Sequence, residues 1–203
     1  MSEPARPWPA VAGVVLAAGR SIRMGQPKAL LPVAGRTFLE HAVAILREGG
    51  CDPVLAVVPA GSPGLALEAE GAGGRAVVSP DPDAEQVESL RIGLAAIGSG
   101  AAAAIVLPVD FPHARPKVVE ALIDAFRESG APIVRPVHRG VPGHPVLFAR
   151  DLWTELSDPD LEEGARDVVH RHRAEIVEVP VEDRGVTVDV DTPEDYEREI
   201  GPP

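Results

Sequence analysis

The chain has 203 residues, 45% of them hydrophobic but only 3% aromatic, and a formal net charge of −12. That length suits one compact domain, residues 1–203, with a core of Ala, Val, Leu and Ile rather than rings. The acidic balance argues against nucleic-acid or anionic-membrane binding by bulk electrostatics, yet leaves room for a nucleotide held by a local cationic loop.

In chain order, short apolar runs alternate with longer amphipathic ones. Strands are expected at residues 12–16, 53–58, 76–78, 103–108, 133–136 and 176–179. Helical patterns cover 37–48, 87–97, 116–129, 151–156, 163–173 and 193–199. Thr37 precedes Glu40 at capping-box spacing, the glycine pair at 49 and 50 ends that helix, and Pro116 suits a first helical turn. The glycine-rich segment 61–74 reads equally as a loop or a poorly packed helix. Apolar strands separated by helices imply an α/β fold, a mostly parallel central sheet with helices on both faces, and ligands at the carboxyl ends of its strands. The single cysteine, Cys51, excludes an intrachain disulfide and fits a reducing compartment. No apolar run approaches the ~18 residues needed to span a bilayer. Glu3, Pro7 and Pro9 fit a signal peptide badly, so a cytoplasmic protein is expected.

The segment after the first strand carries the strongest chemical signal. Leu16, Ala17, Ala18 and Gly19 are followed by Arg20, Ser21, Arg23 and Lys28. A strand opening into a small-residue, basic loop can cradle phosphates, because the backbone comes close and positive charge meets the triphosphate. Lys28 is one of two lysines in a chain that otherwise uses arginine, the other being Lys117. Its compact point charge suits a phosphate, although a solvated loop lysine is an equal reading. The spacing matches neither a Walker P-loop nor a G-x-G-x-x-G dinucleotide loop.

Two acidic places follow. Asp110 comes directly after a buried strand, where a cleft would open and a carboxylate could hold Mg2+ against a triphosphate. A turn or helix-cap aspartate is the competing reading. Near the end, Val188-Asp189-Val190-Asp191 alternates like a strand with one acidic edge, and Thr192-Pro193 opens a helix with Asp195 closing a capping box.

The run L-A-A-G-x-S-x-R-M-G-x-x-K, residues 16–28, resembles the signature of the MobA-like nucleotidyltransferases, and within them the molybdenum cofactor cytidylyltransferases. Further resemblances run through the chain in the same order: Ser89-Leu90-Arg91-Ile92-Gly93-Leu94, Asp110-Phe111-Pro112, Gly143-His144-Pro145, Gly164-Ala165-Arg166 and Asp189 to Asp195. The resemblance implies a Rossmann-like three-layer sandwich of the nucleotide-diphospho-sugar transferase type, with residues 130–180 on the acceptor side. It implies that Lys28, Arg20 and Asp110 are catalytic. Leu16, Ala17, Ala18, Gly19, Arg20, Ser21, Lys28 and Ser89 would bind the nucleotide, although Ser89 also suits a helix cap. Asp110 and Asp191 would bind Mg2+, Asp189 being the weaker choice, and His144, Pro145 and Arg166 would meet the acceptor. Phe111 departs from the residue expected in the middle of its motif. The implied reaction moves CMP from CTP, or GMP from GTP, to a phosphorylated acceptor such as a molybdopterin-type cofactor, releasing pyrophosphate, with a molybdoenzyme as a possible partner. Ala17-Ala18 favours CTP. The same chemistry on another phosphorylated acceptor is the near alternative. An NAD(P)-dependent oxidoreductase or a non-catalytic cofactor-delivery module would be readings of a different class. The basic cluster 170–173 reads as charges complementing a helix C-terminus.

Overall fold

A computed structural model describes residues 10–19, 24–81 and 86–201 of the chain. It opens with β1 (Ala10–Leu16), whose last six residues are buried. A small hairpin of β2 (Pro32–Val33) and β3 (Arg36–Thr37), which the sequence did not signal, leads into α1 (Phe38–Glu48). The capping box of α1 forms as expected, with Thr37 accepting from the Glu40 amide and Glu40 accepting from the Thr37 amide. Next come β4 (Val54–Pro59), α2 (Pro63–Gly71) and β5 (Arg75–Ser79). The glycine-rich segment is thus largely a helix, entered through Pro63 and seated by Leu65 and Ala69.

The second half runs α3 (Gln86–Ala95), β6 (Ala101–Pro108), α4 (Pro116–Ser129), β7 (Ile133–His138), β8 (Val141–Pro142) and β9 (Val146–Ala149). A 3-10 turn (Arg150–Leu152) joins directly to the short α5 (Trp153–Leu156), then α6 (Ala165–Arg171), β10 (Ile176–Pro180), a 3-10 turn (Arg184–Thr187) and α7 (Pro193–Glu199). All six expected strands are present. The expectation missed β9, four residues between two proline- and arginine-containing turns, too short to display a period. The helix expected at 163–173 is shorter at both ends, because Gly164 has φ +61° and the chain leaves the helix at His172.

The main sheet has the order β10-β7-β9-β6-β1-β4-β5, with β8 paired to β7. Strands β5, β4, β1 and β6 run parallel, as do β7 and β10, while β9 is antiparallel to both β6 and β7. Alternation along each strand splits the core in two. Val11 and Val15 face one layer, with residues of α1, α2, α4 and α7; Ala12, Val14 and Leu16 face the other, with α3, α5 and α6. The sandwich therefore has three layers. α3 lies so close to the sheet that a Cβ on Gly93, near its C-terminal end, would overlap Val14 of β1. Among the described residues no helix is long and apolar enough to cross a membrane.

Candidate active site

The chain builds β4 and β5 on one side of β1 and then crosses to β6 on the other. A crevice opens where strand order reverses in this way, at the carboxyl ends of the strands. Here Leu16 ends β1 beside Pro108, the last residue of β6. Two backbone bonds extend the sheet beyond its strands: the Ala17 amide donates to the Val57 carbonyl at 3.0 Å and the Val109 amide to the Leu16 carbonyl at 3.1 Å. Ala17 and Ala18 are buried, and around Gly19, which is exposed, a Cβ would meet nothing within 4 Å. Arg20, Ser21 and Arg23 lie outside the described residues.

Lys28 begins a 3-10 turn (Lys28–Leu30) fixed by the buried Ala29. Its side chain is 12% exposed, which removes the solvated-loop reading. The ammonium donates to Asp110 Oδ2 at 3.2 Å and also to Asp191 Oδ1. Residues 82 and 163 positions apart in sequence thus converge on one nitrogen. The limbs that bear the two aspartates are joined directly, since the Val190 amide donates to the Asp110 carbonyl at 2.9 Å. Asp189 is exposed, while Asp191 turns inward. Residues 188–191 make no strand, contrary to expectation: their alternation reflects Val190, which is fully buried, and not sheet pairing. The capping box that follows does form. Thr192 accepts from the Asp195 amide at 3.2 Å, and Asp195 Oδ2 accepts from the amides of Asp191 and Thr192 at 3.2 and 3.0 Å. The cap therefore pins the backbone of Asp191 and leaves its carboxylate to the site.

Burial raises the Asp110 carboxyl above its ordinary range; Lys28 opposes that shift and the charge of Asp191 adds to it. Asp110 Oδ1 is buried with no hydrogen-bond partner among the described residues. An orphaned carboxylate oxygen beside a second carboxylate is a donor set suited to a hard divalent cation. Among the described residues no three His, Cys, Asp or Glu side chains form a cage.

On the acceptor side, His144 packs its ring against Phe111, with centroids 4.5 Å apart and planes at 51°. Burial, and secondarily the charge of Arg166, pull its imidazole down to about 4, so it is neutral near pH 7. Its Nδ1 is buried without a partner among the described residues. Pro145 is buried beneath it. Arg166 lies in the first turn of α6, and Gly164 abuts Val87, so the starts of α6 and α3 meet. Ser89 is the fourth residue of α3 and 2% exposed, which excludes the cap reading; its Oγ has no partner among the described residues. The cluster at 170–173 does more than complement a helix end: His172 bridges Glu155 and Glu175 at 2.8 and 2.9 Å, and Arg171 reaches Glu155 at 3.0 Å. Sequence reasoning missed the role of Phe111 as a partner of His144, and the 3-10 turn (Arg184–Thr187) that leads to Asp191; four residues between charged neighbours carry no period.

Residues 13–176 match the MobA-like NTP transferase domain. The chain belongs to the MobA-like NTP transferase family. A probable molybdenum cofactor guanylyltransferase of Opitutus terrae is 30% identical over 94% of this chain and 95% of its own length. The match to a molybdenum cofactor guanylyltransferase of Xanthomonas euvesicatoria is 46% identical but spans 53% of this chain and about half, 49%, of that relative. A 2-C-methyl-D-erythritol 4-phosphate cytidylyltransferase of Saccharopolyspora erythraea is 39% identical over 89% of this chain and 76% of that protein. Among solved structures, that of Rv0371C of Mycobacterium tuberculosis in complex with manganese superposes with a TM-score of 0.79 at 30% identity, covering 94% of this chain and 98% of that one. The fold expected for a MobA-like protein is therefore the fold observed, and nucleotidyl transfer is the activity of the family.

Proposed function

We propose that this MobA-like protein transfers a nucleoside monophosphate from an NTP to the phosphate of a molybdopterin-type acceptor, in a reaction that requires Mg2+ or Mn2+. The observation that carries this reading is the convergence of Asp110 and Asp191 on Lys28 at the crevice between β1 and β6. The Lys28 ammonium takes the place between the carboxylates that a divalent cation would share with them. Its flexible four-carbon stem lets it turn from the carboxylates to the triphosphate. The backbone at Gly19 is exposed, and the space around it would let a phosphate approach. A bound divalent ion would offset the charge that builds up on the phosphates. Asp110 and Asp191 are the residues to hold it, and the manganese complex of the M. tuberculosis relative supports a divalent cation in the reaction.

An oxygen of the acceptor phosphate attacks the α-phosphorus in line; the bond to the β-phosphate bridging oxygen breaks, and that oxygen leaves with the electron pair as pyrophosphate. No protein side chain need form a covalent bond. Lys28 neutralises the leaving group, while Arg166 and the neutral His144 meet the acceptor. The relatives named guanylyltransferases support GTP as donor. The Ala17-Ala18-Gly19 loop and the cytidylyltransferase relative support CTP, the base expected from the sequence, as the second reading. The test is pyrophosphate release on incubation with each NTP, Mg2+ and molybdenum cofactor. GTP-dependent release with little from CTP is the expected result. NAD(P)H consumption with no pyrophosphate from any NTP would replace the transferase with an oxidoreductase.

A further inference from the structure

The two carboxylates differ in how they are held. Asp110 follows β6 directly, whereas Asp191 stands at the end of a return segment that starts after β10 and belongs to no strand. That segment is gripped from two sides. Asp183 accepts from the Gly185 amide at 3.0 Å and opens the 3-10 turn (Arg184–Thr187). On one side the His144 amide donates to the Val186 carbonyl at 2.7 Å, and Gly143 lies so near that a Cβ there would overlap the same carbonyl oxygen. On the other side a Cβ on Gly185 would overlap the carbonyl of His113, three residues beyond Asp110. Arg115 adds an ion pair to Asp183 at 3.3 Å. Neither Gly143 nor Gly185 has a left-handed φ, so both positions require space and not backbone freedom.

His144 holds both limbs at once. Its backbone grips the limb of Asp191 through Val186, and its ring packs on Phe111, the neighbour of Asp110. Between Val186 and Asp191 only a few residues intervene, and Val190 is both fully buried and bonded to the Asp110 carbonyl. A displacement of His144 would shift the turn at Val186 and the ring of Phe111, and through them the spacing of the two carboxylates, since packed interiors transmit strain.

We infer that His144 and Gly185 are positioning residues for the carboxylate pair, through the turn at Val186, and that occupation of the acceptor side and cation binding are thereby coupled. The inference rests on the reading of Asp110 and Asp191 as cation ligands. Coupling is reciprocal, so an acceptor that orders His144 tightens the cation by the factor by which the cation tightens the acceptor.

The test is Mn2+ binding to the purified chain, followed by electron paramagnetic resonance, with folding checked by circular dichroism. Gly185→Ala and His144→Ala are expected to weaken Mn2+ by ~10-fold, the usual range for residues that orient metal ligands. His144→Phe, which keeps the backbone bond and a ring against Phe111, should recover most of the loss. Gly98→Ala, at a position where a Cβ meets nothing within 4 Å, is the control and should bind as wild type does. Wild-type affinity in His144→Ala, or a rise in acceptor KM there with no change in Mn2+ binding, would overturn the inference and leave His144 as an acceptor contact alone. No Mn2+ binding by the wild-type chain would instead overturn the reading of the carboxylates. If Gly185→Ala does not fold, the two His144 variants decide.

Discussion

The cleft has two unlike walls. The wall formed by β5, β4, β1 and the near side of β6 is a run of parallel strands joined by helices, and its side chains alternate cleanly between two core layers. The wall beyond β6 inserts the antiparallel β9 between β6 and β7, adds the small β8, and returns to the site through a segment with no ladder. The first wall brings backbone and one lysine to the crevice; the second brings a half-buried neutral imidazole, an aromatic ring and an arginine. The triphosphate is the same for every member of such a family, so a regular scaffold can serve it. Acceptors differ, and the irregular wall is where short turns can be altered without rebuilding the sheet. Asp110 and Asp191, both reached by Lys28, stand where the two walls meet.

Breaking that junction should give the largest effect. Asp110→Ala is expected to lower turnover by ~10³ or more, since it removes a ligand of the cation and a partner of Lys28 together. Folding should survive, because burial already raises this carboxyl and its loss relieves a desolvated charge. Turnover near wild type with an intact circular dichroism spectrum would show that the junction is structural. Next in size is Lys28→Ala, which removes the one ammonium that both carboxylates share but leaves the carboxylates themselves. A loss on the order of 10² in kcat with a smaller change in KM is expected for a group that stabilises developing charge. A fall in melting temperature with unchanged kcat would assign Lys28 to scaffolding alone.

The difference between the walls also explains what could be read from the sequence. Periodicity reports regular elements; hence the six apolar runs expected as strands all form, whereas the short alternation at 188–191 does not, and the capping boxes at Thr37 and Thr192 form as spaced. The Gly61 to Gly74 region was ambiguous because α2 buries only Leu65 and Ala69, too few positions to show a period. Ser89 was misread as a cap because it lies inside its helix, three residues beyond Gln86, and is buried. On the irregular wall, the four residues of β9 and the turn (Arg184–Thr187) are too short for any period, and the contact of Phe111 with His144 joins residues 33 positions apart. Such contacts are set by tertiary packing, which a motif can flag but not derive. The convergence of Lys28, Asp110 and Asp191 was legible only as residue types suited to one chemistry; their meeting depends on the crossover from β5 to β6 and on the return segment.

Two histidines give the smallest and most discriminating test, because their shifts have opposite sign. His144 is pulled down to about 4 by burial, so between pH 4 and its ordinary value of 6.5 the unfolded chain binds a proton that the folded chain does not. Its contribution favours folding above 6.5 and is lost as pH falls through that window. His172 is raised by hydrogen bonds to Glu155 and then Glu175, so it favours folding below 6.5 and loses that contribution as pH rises through its elevated value. Urea unfolding from pH 4.5 to 8 should therefore show a shallower acid-side loss in His144→Phe than in wild type. His172→Gln should differ from wild type only on the acid side, by less than ~1 kcal/mol, as for a surface ion pair. Parallel pH profiles for wild type and His144→Phe would mean that the imidazole takes up its proton in the folded protein at its ordinary value and so carries charge below about 6.5. An acceptor wall carrying that charge would attract a phosphate directly, and the neutral, ring-lined wall described above would be the wrong description of where the acceptor sits.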